Sequence, residues 1–226
     1  MSLLANVVDV FVDDRDAHGN PLGIIWASAS TRRREQQIAA DLGLSETIFI
    51  DALDGASVSA RIFTPALELP FAGHPTVGLA AWLHRGGDPV TEINVPAGSV
   101  RVRVDGPRVF VNALPEWCPV FELTRLDSPA DVDAVDPDAF AEGQHYLWAF
   151  MDEGAGRVRA RMFAPDFGIR EDEATGAAAI RLTAELGRDL EIRQGAGSVL
   201  HTHPRYLGQQ VEVGGRTSEA RTRELI

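Results

Sequence analysis

The sequence contains no lysine, and all 21 of its basic residues are arginines. The absence of lysine excludes a Schiff-base nucleophile, a lysine-bound pyridoxal phosphate and the lysine of a P-loop. A single cysteine, Cys118, excludes an intramolecular disulfide and any mechanism that needs two opposed thiols from one chain. Because a reducing compartment suits such a chain, we expect a cytoplasmic location.

Long apolar runs and an excess of positive charge are also missing from the sequence. No apolar run approaches the roughly 20 residues of a membrane-spanning helix, and the N-terminus lacks the basic region of a signal peptide. The formal net charge of −12 repels nucleic acid and anionic membranes, so we expect neither as a partner. The 226 residues, 45% of them hydrophobic, are enough for one large domain or two small ones.

The spacing of apolar residues predicts many strands and few helices. Strands are predicted at 6–13, 22–27, 46–50, 57–63, 92–96, 99–105, 108–114, 146–152, 157–163, 190–194, 198–203 and 209–215. Helices are predicted at 31–42, from about residue 74 to 86 and at 175–186. Ser30 is the predicted N-cap of the first helix, and a glycine follows or ends each of the three.

An acidic, weakly periodic stretch at 115–139 separates two halves of the sequence. Four prolines interrupt it, at positions 115, 119, 129 and 137. Such a change of composition favours a domain boundary. We therefore predict an N-terminal lobe at 1–118 and a C-terminal lobe at 119–226.

The two halves contain a related segment. Arg-x-Phe-x-Pro occurs at 61–65 and again at 161–165, an offset of 100 residues. After a slip of two residues, His74-x-x-x-Gly78 aligns with Asp172-x-x-x-Gly176, and an alanine-rich helix follows each. Self-similarity of this kind predicts two domains of similar build.

Each copy of the repeat leads from a strand through a turn into the start of a helix. Helix starts carry unpaired N–H groups and a partial positive charge, which suit a small anion such as a carboxylate. If the two halves face each other, His74 and Asp172 lie on opposite walls of one cleft. The small residues Gly73, Gly176 and Ala177 would let a ligand approach the backbone closely.

Several short motifs follow one another in a particular order. They are Gly19-Asn20-Pro21, Ser45-Glu46-Thr47, the turn at 71–76 (FAGHPT), the segment 162–176 (MFAPDFGIREDEATG), and the strands at 194–200 (QGAGSVL) and 211–215 (VEVGG). This order resembles the phenazine-biosynthesis PhzF-like family, which shares the diaminopimelate-epimerase fold. The resemblance implies an α+β fold of two pseudo-symmetric domains, each a barrel-like β-sheet wrapped around a central helix. It also implies a homodimer and an isomerase-type site between the two domains.

The resemblance further implies roles for individual residues. In the family, the glutamate of the Ser-Glu-Thr element moves a proton between carbons of a cyclic dienoic amino acid, without a metal or an organic cofactor. That residue is Glu46 here, while His74 and Asp172 occupy the places of two opposed cysteines in related epimerases and racemases. We therefore predict a cofactor-independent isomerase acting on a small carboxylate, with Glu46, His74 and Asp172 as catalytic residues. The predicted substrate-binding residues are Asn20, Gly73, Thr175, Gly176 and Ala177.

Each catalytic candidate also has an ordinary structural explanation. Glu46 could be a solvent-facing residue at a strand end, whereas burial would suit it to proton transfer near neutral pH. His74 could be a structural histidine held by hydrogen bonds, or a group that polarises the substrate or carries a proton. Asp172 could cap the helix that follows it while it orients His74.

The chain departs from the family pattern beside the second helix start. Glu173 replaces a proline, and Ala177 replaces a serine whose hydroxyl would bind the ligand. These departures favour a second hypothesis, a catalytically silent protein that binds a small anion in the same cleft. A cysteine-dependent racemase working across a dimer is disfavoured, because Cys118 lies outside both helix-start turns.

Two further groups of residues have simpler explanations. His201 and His203 would lie on one face of a strand with the spacing of a metal pair, but no third ligand follows nearby, so we expect no metal. The tryptophans Trp26, Trp82 and Trp148 are predicted to be core residues.

Overall fold

Most of the chain forms β structure, as its alternation of apolar and polar residues predicts. The computed structural model describes residues 3–225. The strands are β1 (Leu3–Val12), β2 (Asn20–Trp26), β3 (Glu46–Asp54), β4 (Ser57–Phe63), β5 (Glu68–Leu69), β6 (Glu92–Val95), β7 (Gly98–Asp105), β8 (Arg108–Ala113), β9 (Glu122–Arg125), β10 (His145–Asp152), β11 (Arg157–Ala164), β12 (Ile169–Asp172), β13 (Leu190–Gln194), β14 (Ser198–Arg205), β15 (Gln210–Thr217) and β16 (Arg221–Leu225). The helices are α1 (Glu35–Leu42), α2 (Gly73–Gly86), α3 (Pro129–Ala134) and α4 (Gly176–Leu186).

Within residues 3–225 the strands join into one 16-stranded sheet. Its order is β16-β1-β2-β3-β4-β6-β7-β8-β15-β14-β13-β11-β10-β9, with β5 paired to β4 and β12 paired to β11. Because β15 pairs with both β8 and β1, the strands β1, β2, β3, β4, β6, β7, β8 and β15 close into a ring. The chain is therefore an α+β protein with a barrel-like sheet, as the family resemblance implies.

Two helices position the turns that the sequence predicts to form the site. α2 packs against β1, β2, β3, β8 and β15, so it lies inside the ring. α4 packs against β14, β15 and the start of α2. One hydrophobic core joins them, and it contains residues of both halves of the chain, such as Leu79 of α2 and Ile180 of α4.

α1 covers the outer face of the sheet. Ile38 and Leu42 of this helix pack with Phe49 of β3 in a second, smaller core. The neighbours of Phe49 in the strand, Ile48 and Ile50, point the other way into the main core. This alternation is expected for a strand with a buried residue on each face.

The predicted start of the first helix is wrong. α1 begins at Glu35 rather than at residue 31, and its N-cap is Arg34 rather than Ser30, which is exposed. The Thr31 hydroxyl oxygen accepts a hydrogen bond from the Ser28 amide at 2.8 Å, and Arg33 has a left-handed backbone with φ of 66°. Local side-chain hydrogen bonding and the left-handed residue hold the chain in turns up to that point.

Other differences concern exposed aromatic residues and short elements. Trp26 was predicted to be a core residue but is 45% exposed, because it lies at the end of β2; Trp148 is buried as predicted. The short strands β5, β9 and β12, the final strand β16 and the six-residue helix α3 were not predicted. Each is too short or too polar for its periodicity to stand out.

Candidate active site

The starts of α2 and α4 touch each other through two glycines. A Cβ atom on Gly176 would lie 3.2 Å from the His74 amide nitrogen and 3.3 Å from Gly73 Cα. A Cβ on Gly73 would lie 3.4 Å from Gly176 Cα. Glycine at both positions therefore allows the two backbones to meet, and it brings together two sets of amide groups that lack acceptors within their own helices.

His74 and Glu46 form a hydrogen-bonded pair beside this contact. His74 is the second residue of α2 and is 3% exposed; Glu46 is the first residue of β3, and its side chain is 19% exposed. His74 Nδ1 lies 2.8 Å from Glu46 Oε2, and His74 Nε2 lies 2.9 Å from the backbone oxygen of Asn20. Because a carbonyl oxygen only accepts, Nε2 carries a proton, and Nδ1 shares a second proton with Glu46.

Asp172, the last residue of β12, has hydrogen bonds to both of its carboxylate oxygens. Oδ1 accepts from Asn20 Nδ2 at 2.8 Å, and Oδ2 accepts from Thr175 Oγ1 at 2.6 Å. Burial raises the pKa of Asp172 to about 6, and the negative charge of Glu46 adds to the increase. The two hydrogen bonds and the nearby His74 oppose this increase in pKa, because they favour the ionised carboxylate.

Asn20 connects His74 with Asp172. Its backbone oxygen accepts from His74, and its side-chain amide donates to Asp172 and to the Ala174 carbonyl, the latter at 3.1 Å. Its side-chain oxygen accepts from Ser45 Oγ at 2.9 Å. Asn20 is only 2% exposed and all of its side-chain groups are bonded within the protein. This geometry favours a positioning role for Asn20 over the substrate contact expected from the sequence.

The predicted site residues lie close together, but some contacts differ from the expected ones. Asp172 does not cap α4, whose N-cap is Thr175, and it makes no hydrogen bond to His74. Both ring nitrogens of His74 already have partners, which are Glu46 and the Asn20 carbonyl. The Thr175 hydroxyl donates to Asp172, and Ala177 is partly buried against the main core.

Glu173, which departs from the family pattern, binds the neighbouring turn of the protein. Its carboxylate accepts from the Ala196 amide at 2.8 Å and from Ser198 Oγ at 2.7 Å. Ser198 Oγ in turn accepts from the Gly19 amide at 2.9 Å, one residue before Asn20. A side chain at Gly195 would collide with Glu173. Glu173 therefore links the turn between β13 and β14 to the turn that carries Asn20.

Sequence reasoning missed three residues that support the site. Ser45 donates to Asn20, Gln194 donates to the Asp172 backbone oxygen, and Tyr146 donates to Gln194. Gln194 and Tyr146 are completely buried. Gln194 was part of a recognised motif, and Ser45 was part of another, but neither motif indicated a contact. Tyr146 carried no signal beyond its place in an apolar strand.

Other candidate features lie outside the site. Burial raises the pKa of the Cys118 thiol to about 12, so the thiol is protonated and unreactive. No cluster of three or more His, Cys, Asp or Glu side chains suited to a metal occurs among residues 3–225.

A cavity of about 580 Å³ is lined by residues of β6, β7, β8 and β15, including Arg101 and Asn112, and by none of the predicted site residues. None of the helices in the described chain is long and apolar enough to cross a membrane.

Comparison with solved structures identifies the fold. The chain superposes on a PhzC/PhzF protein from Clostridium difficile with a TM-score of 0.78, at 18% identity and with 99% of each chain covered. It also superposes on a hydroxyproline epimerase from Agrobacterium vitis with a TM-score of 0.65, at 13% identity, covering 99% of this chain and 92% of that one. These likenesses confirm the epimerase-type fold that the motifs imply.

Comparison of sequences identifies the family. Residues 8–135 match the PhzC-PhzF family, described as phenazine biosynthesis-like protein. The chain is 31% identical over 251 residues to the trans-2,3-dihydro-3-hydroxyanthranilate isomerase of Pseudomonas chlororaphis, covering 92% of this chain and 83% of the relative. It therefore belongs to the PhzC/PhzF phenazine biosynthesis-like family, as an enzyme of the isomerase or epimerase type.

Proposed function

We propose that the protein is a cofactor-independent isomerase that transfers a proton on a small carboxylate-bearing metabolite. Glu46 is the proton carrier in this proposal. The observation that carries it is the asymmetry of the Glu46 carboxylate. Oε2 is held by His74, whereas Oε1 has no hydrogen-bond partner among residues 3–225 and the side chain is partly exposed. One oxygen fixes the position of the group, and the other is available to a substrate.

The proton balance of the Glu46–His74 pair fits this role. With the shared proton on His74 Nδ1, Glu46 is a carboxylate and can act as a base. Oε1 takes a proton from a substrate carbon, and the electron pair of the broken C–H bond stays in the substrate. Glu46 then returns the proton to a second carbon and is a carboxylate again. No other reactant is consumed.

The substrate carboxylate has a suitable binding place at the touching helix starts. The free amides and the partial positive charge at the N-termini of α2 and α4 attract an anion. We assign the amides around Gly73, Gly176 and Ala177 to this contact. Asp172, whose oxygens are both bonded within the protein, would act by holding Asn20 and hence the carbonyl that binds His74.

The two halves that meet here form, in this proposal, two pseudo-symmetric lobes at 1–118 and 119–226. Corresponding arginines support this division. Arg61 pairs with Glu35 and Asp51, and Arg161 pairs with Glu171 on the hairpin that leads to Asp172.

The relative from Pseudomonas chlororaphis is named for a substrate of the anthranilate type. We propose that the substrate here is likewise a small carboxylate with an acidic C–H bond.

The test is deuterium uptake from heavy water into a library of small carboxylates, read by NMR and mass spectrometry. The wild-type protein should label one substrate at carbon. Glu46→Gln should reduce the rate by about 10²- to 10⁴-fold, the usual contribution of general acid–base catalysis. Glu68→Gln, a matched change at an exposed position of β5, should leave the rate unchanged.

A silent anion-binding protein is the second candidate, and Ala177 favours it because the hydroxyl of the family's serine is missing there. Its signature would be calorimetric binding of a carboxylate with no deuterium uptake at any pH. Equal labelling by wild type and by Glu46→Gln would contradict the role given to Glu46.

A further inference from the structure

A row of hydrogen bonds leads to Asp172 from two completely buried side chains. Gln194, at the end of β13, donates from Nε2 to the Asp172 backbone oxygen at 3.0 Å and to Thr175 Oγ1 at 2.8 Å. Its Oε1 accepts from the Tyr146 hydroxyl at 3.1 Å. Gln194 and Tyr146 are both 0% exposed. We call Tyr146, Gln194 and Thr175 the donor series.

The direction of every hydrogen bond in the donor series is fixed. The Asp172 backbone oxygen can only accept, so the Gln194 nitrogen faces it and the Gln194 oxygen faces Tyr146. Tyr146 stays a neutral donor, because burial raises the pKa of its hydroxyl. Since Thr175 Oγ1 accepts from Gln194, the only proton of its hydroxyl is directed to Asp172 Oδ2. All the donors therefore point towards Asp172.

The groups around Asp172 act on its charge in opposite directions. Glu46 from β3 disfavours its ionisation, and so does burial; His74 from α2, Asn20 from β2 and Thr175 favour it. Of these favourable groups, only Thr175 depends on the donor series for its orientation. A Thr175 hydroxyl without Gln194 could turn its proton elsewhere and accept from a protonated Asp172 instead.

We propose that Gln194 is a positioning residue for the proton transfer: through the donor series it keeps Asp172 ionised and fixed beside Asn20 and the Glu46–His74 pair. This inference rests on the proposed function. An ionised Asp172 accepts from Asn20 and so holds the backbone oxygen that determines which nitrogen of His74 carries its proton. Loss of Gln194 changes the ionisation of Asp172 without removing any group that touches the substrate.

The experiment compares Gln194→Met, which keeps the size of the side chain but removes its hydrogen bonds, with wild type. The carboxyl carbon of Asp172 is followed by NMR titration in protein labelled at aspartate, with Asp172→Asn to assign the signal. In Gln194→Met the titration midpoint should move upward by about one pH unit, as expected for a lost hydrogen bond to a carboxylate. The acidic limb of the deuterium-uptake profile should move by the same amount, with kcat recovering at high pH and KM little changed.

Two further variants distinguish a positioning role of Gln194 from a general disturbance of the structure. Tyr146→Phe keeps the ring and removes only the hydroxyl that donates to Gln194, so it should move the Asp172 titration midpoint upward by a smaller amount. If Gln194→Met does not fold, the midpoint in Tyr146→Phe tests the inference in its place. Gln210→Met is a matched change on β15 beside Asn112. It should change neither the Asp172 titration midpoint nor the acidic limb of the deuterium-uptake profile. A uniform loss of rate at every pH, with an unchanged midpoint, would overturn the inference while leaving the proposed function intact. If wild type labels no substrate, the proposed function fails, and the NMR titration still decides the effect of Gln194 on Asp172.

Discussion

At the residue scale, the environment of Asp172 links the site to the stability of the fold. Burial, reinforced by Glu46, raises the pKa of this carboxyl to about 6, whereas an aspartate in an unfolded chain titrates near pH 4. The folded protein therefore binds this proton more tightly than the unfolded chain does. Between about pH 4 and pH 6 the unfolded chain has lost the proton that the folded chain retains, so this residue makes the free energy of unfolding fall as pH rises.

We predict that Asp172→Asn removes this pH dependence. The free energy of unfolding of wild type minus that of Asp172→Asn should decrease by on the order of 2 kcal/mol as the pH rises from 4 to 6. Urea denaturation at several pH values measures it, with the exposed Asp14→Asn as the control that should follow wild type. A constant difference between wild type and Asp172→Asn across this range would show that Asp172 titrates normally in the folded protein.

At the scale of single elements, the packing of α2 determines where His74 lies. A Cβ atom on Gly78 would lie 2.5 Å from Leu22 Cδ2 and 2.7 Å from Val10 Cγ2. The absence of a side chain thus allows α2 to lie directly on β1 and β2. His74 is four residues, about one turn, before Gly78, and this close packing brings it within hydrogen-bond distance of Asn20 at the start of β2.

We predict opposite effects for alanine at two glycines of this helix. Gly78→Ala should lower the free energy of unfolding by about 1–3 kcal/mol through overpacking and should slow deuterium uptake, because α2 must move away from β2. Gly86→Ala, at the last residue of α2 with no atom near its Cβ position, should raise stability by about 0.5 kcal/mol. The denaturation midpoints of the two variants, compared with that of wild type, test both expectations. An unchanged midpoint for Gly78→Ala would mean that the contact of α2 with β1 and β2 can relax at little cost in free energy.

At the scale of the whole molecule, one strand joins the two halves of the chain. β15 pairs with β8 and β1, which come from the first half, and with β14 from the second. β16 pairs with residues 3–7 of β1, on the same edge that β15 meets at Val10 and Val12. The main core likewise contains side chains from both halves. The lobes predicted at 1–118 and 119–226 therefore share strands and core across their boundary.

We predict that neither lobe folds when it is produced alone. A 1–118 fragment lacks β15 and β16, which leaves β1 and β8 with unpaired edges and opens the ring around α2. Its NMR spectrum should show poor dispersion, and the two fragments mixed together should recover the dispersion of the full chain. A 1–118 fragment with a dispersed spectrum and a cooperative unfolding transition would mean that the N-terminal lobe is independently stable.

Sequence reasoning succeeded where a few neighbouring residues decide the outcome. The ends of α1, α2 and α4 were predicted from Gly43, Gly87 and Gly187, and each of these glycines has the left-handed backbone that ends a helix. The strand from Glu46 was predicted from its apolar residues, and the family followed from the motifs. The start of α1 was misjudged, because hydrogen bonds of Ser28 and Thr31 compete with the helix.

The sequence by itself determined the strand-rich fold, the helix stops, the family and the residue types at the site. Only the tertiary structure decided how those residues are connected: Glu46 and the Asn20 carbonyl, rather than Asp172, hold His74, and Gln194 orients the hydroxyl that reaches Asp172. The physical reason is distance along the chain. These hydrogen bonds join residues 28, 54 and 19 positions apart, so they depend on strand pairing and helix packing rather than on any local pattern of residues.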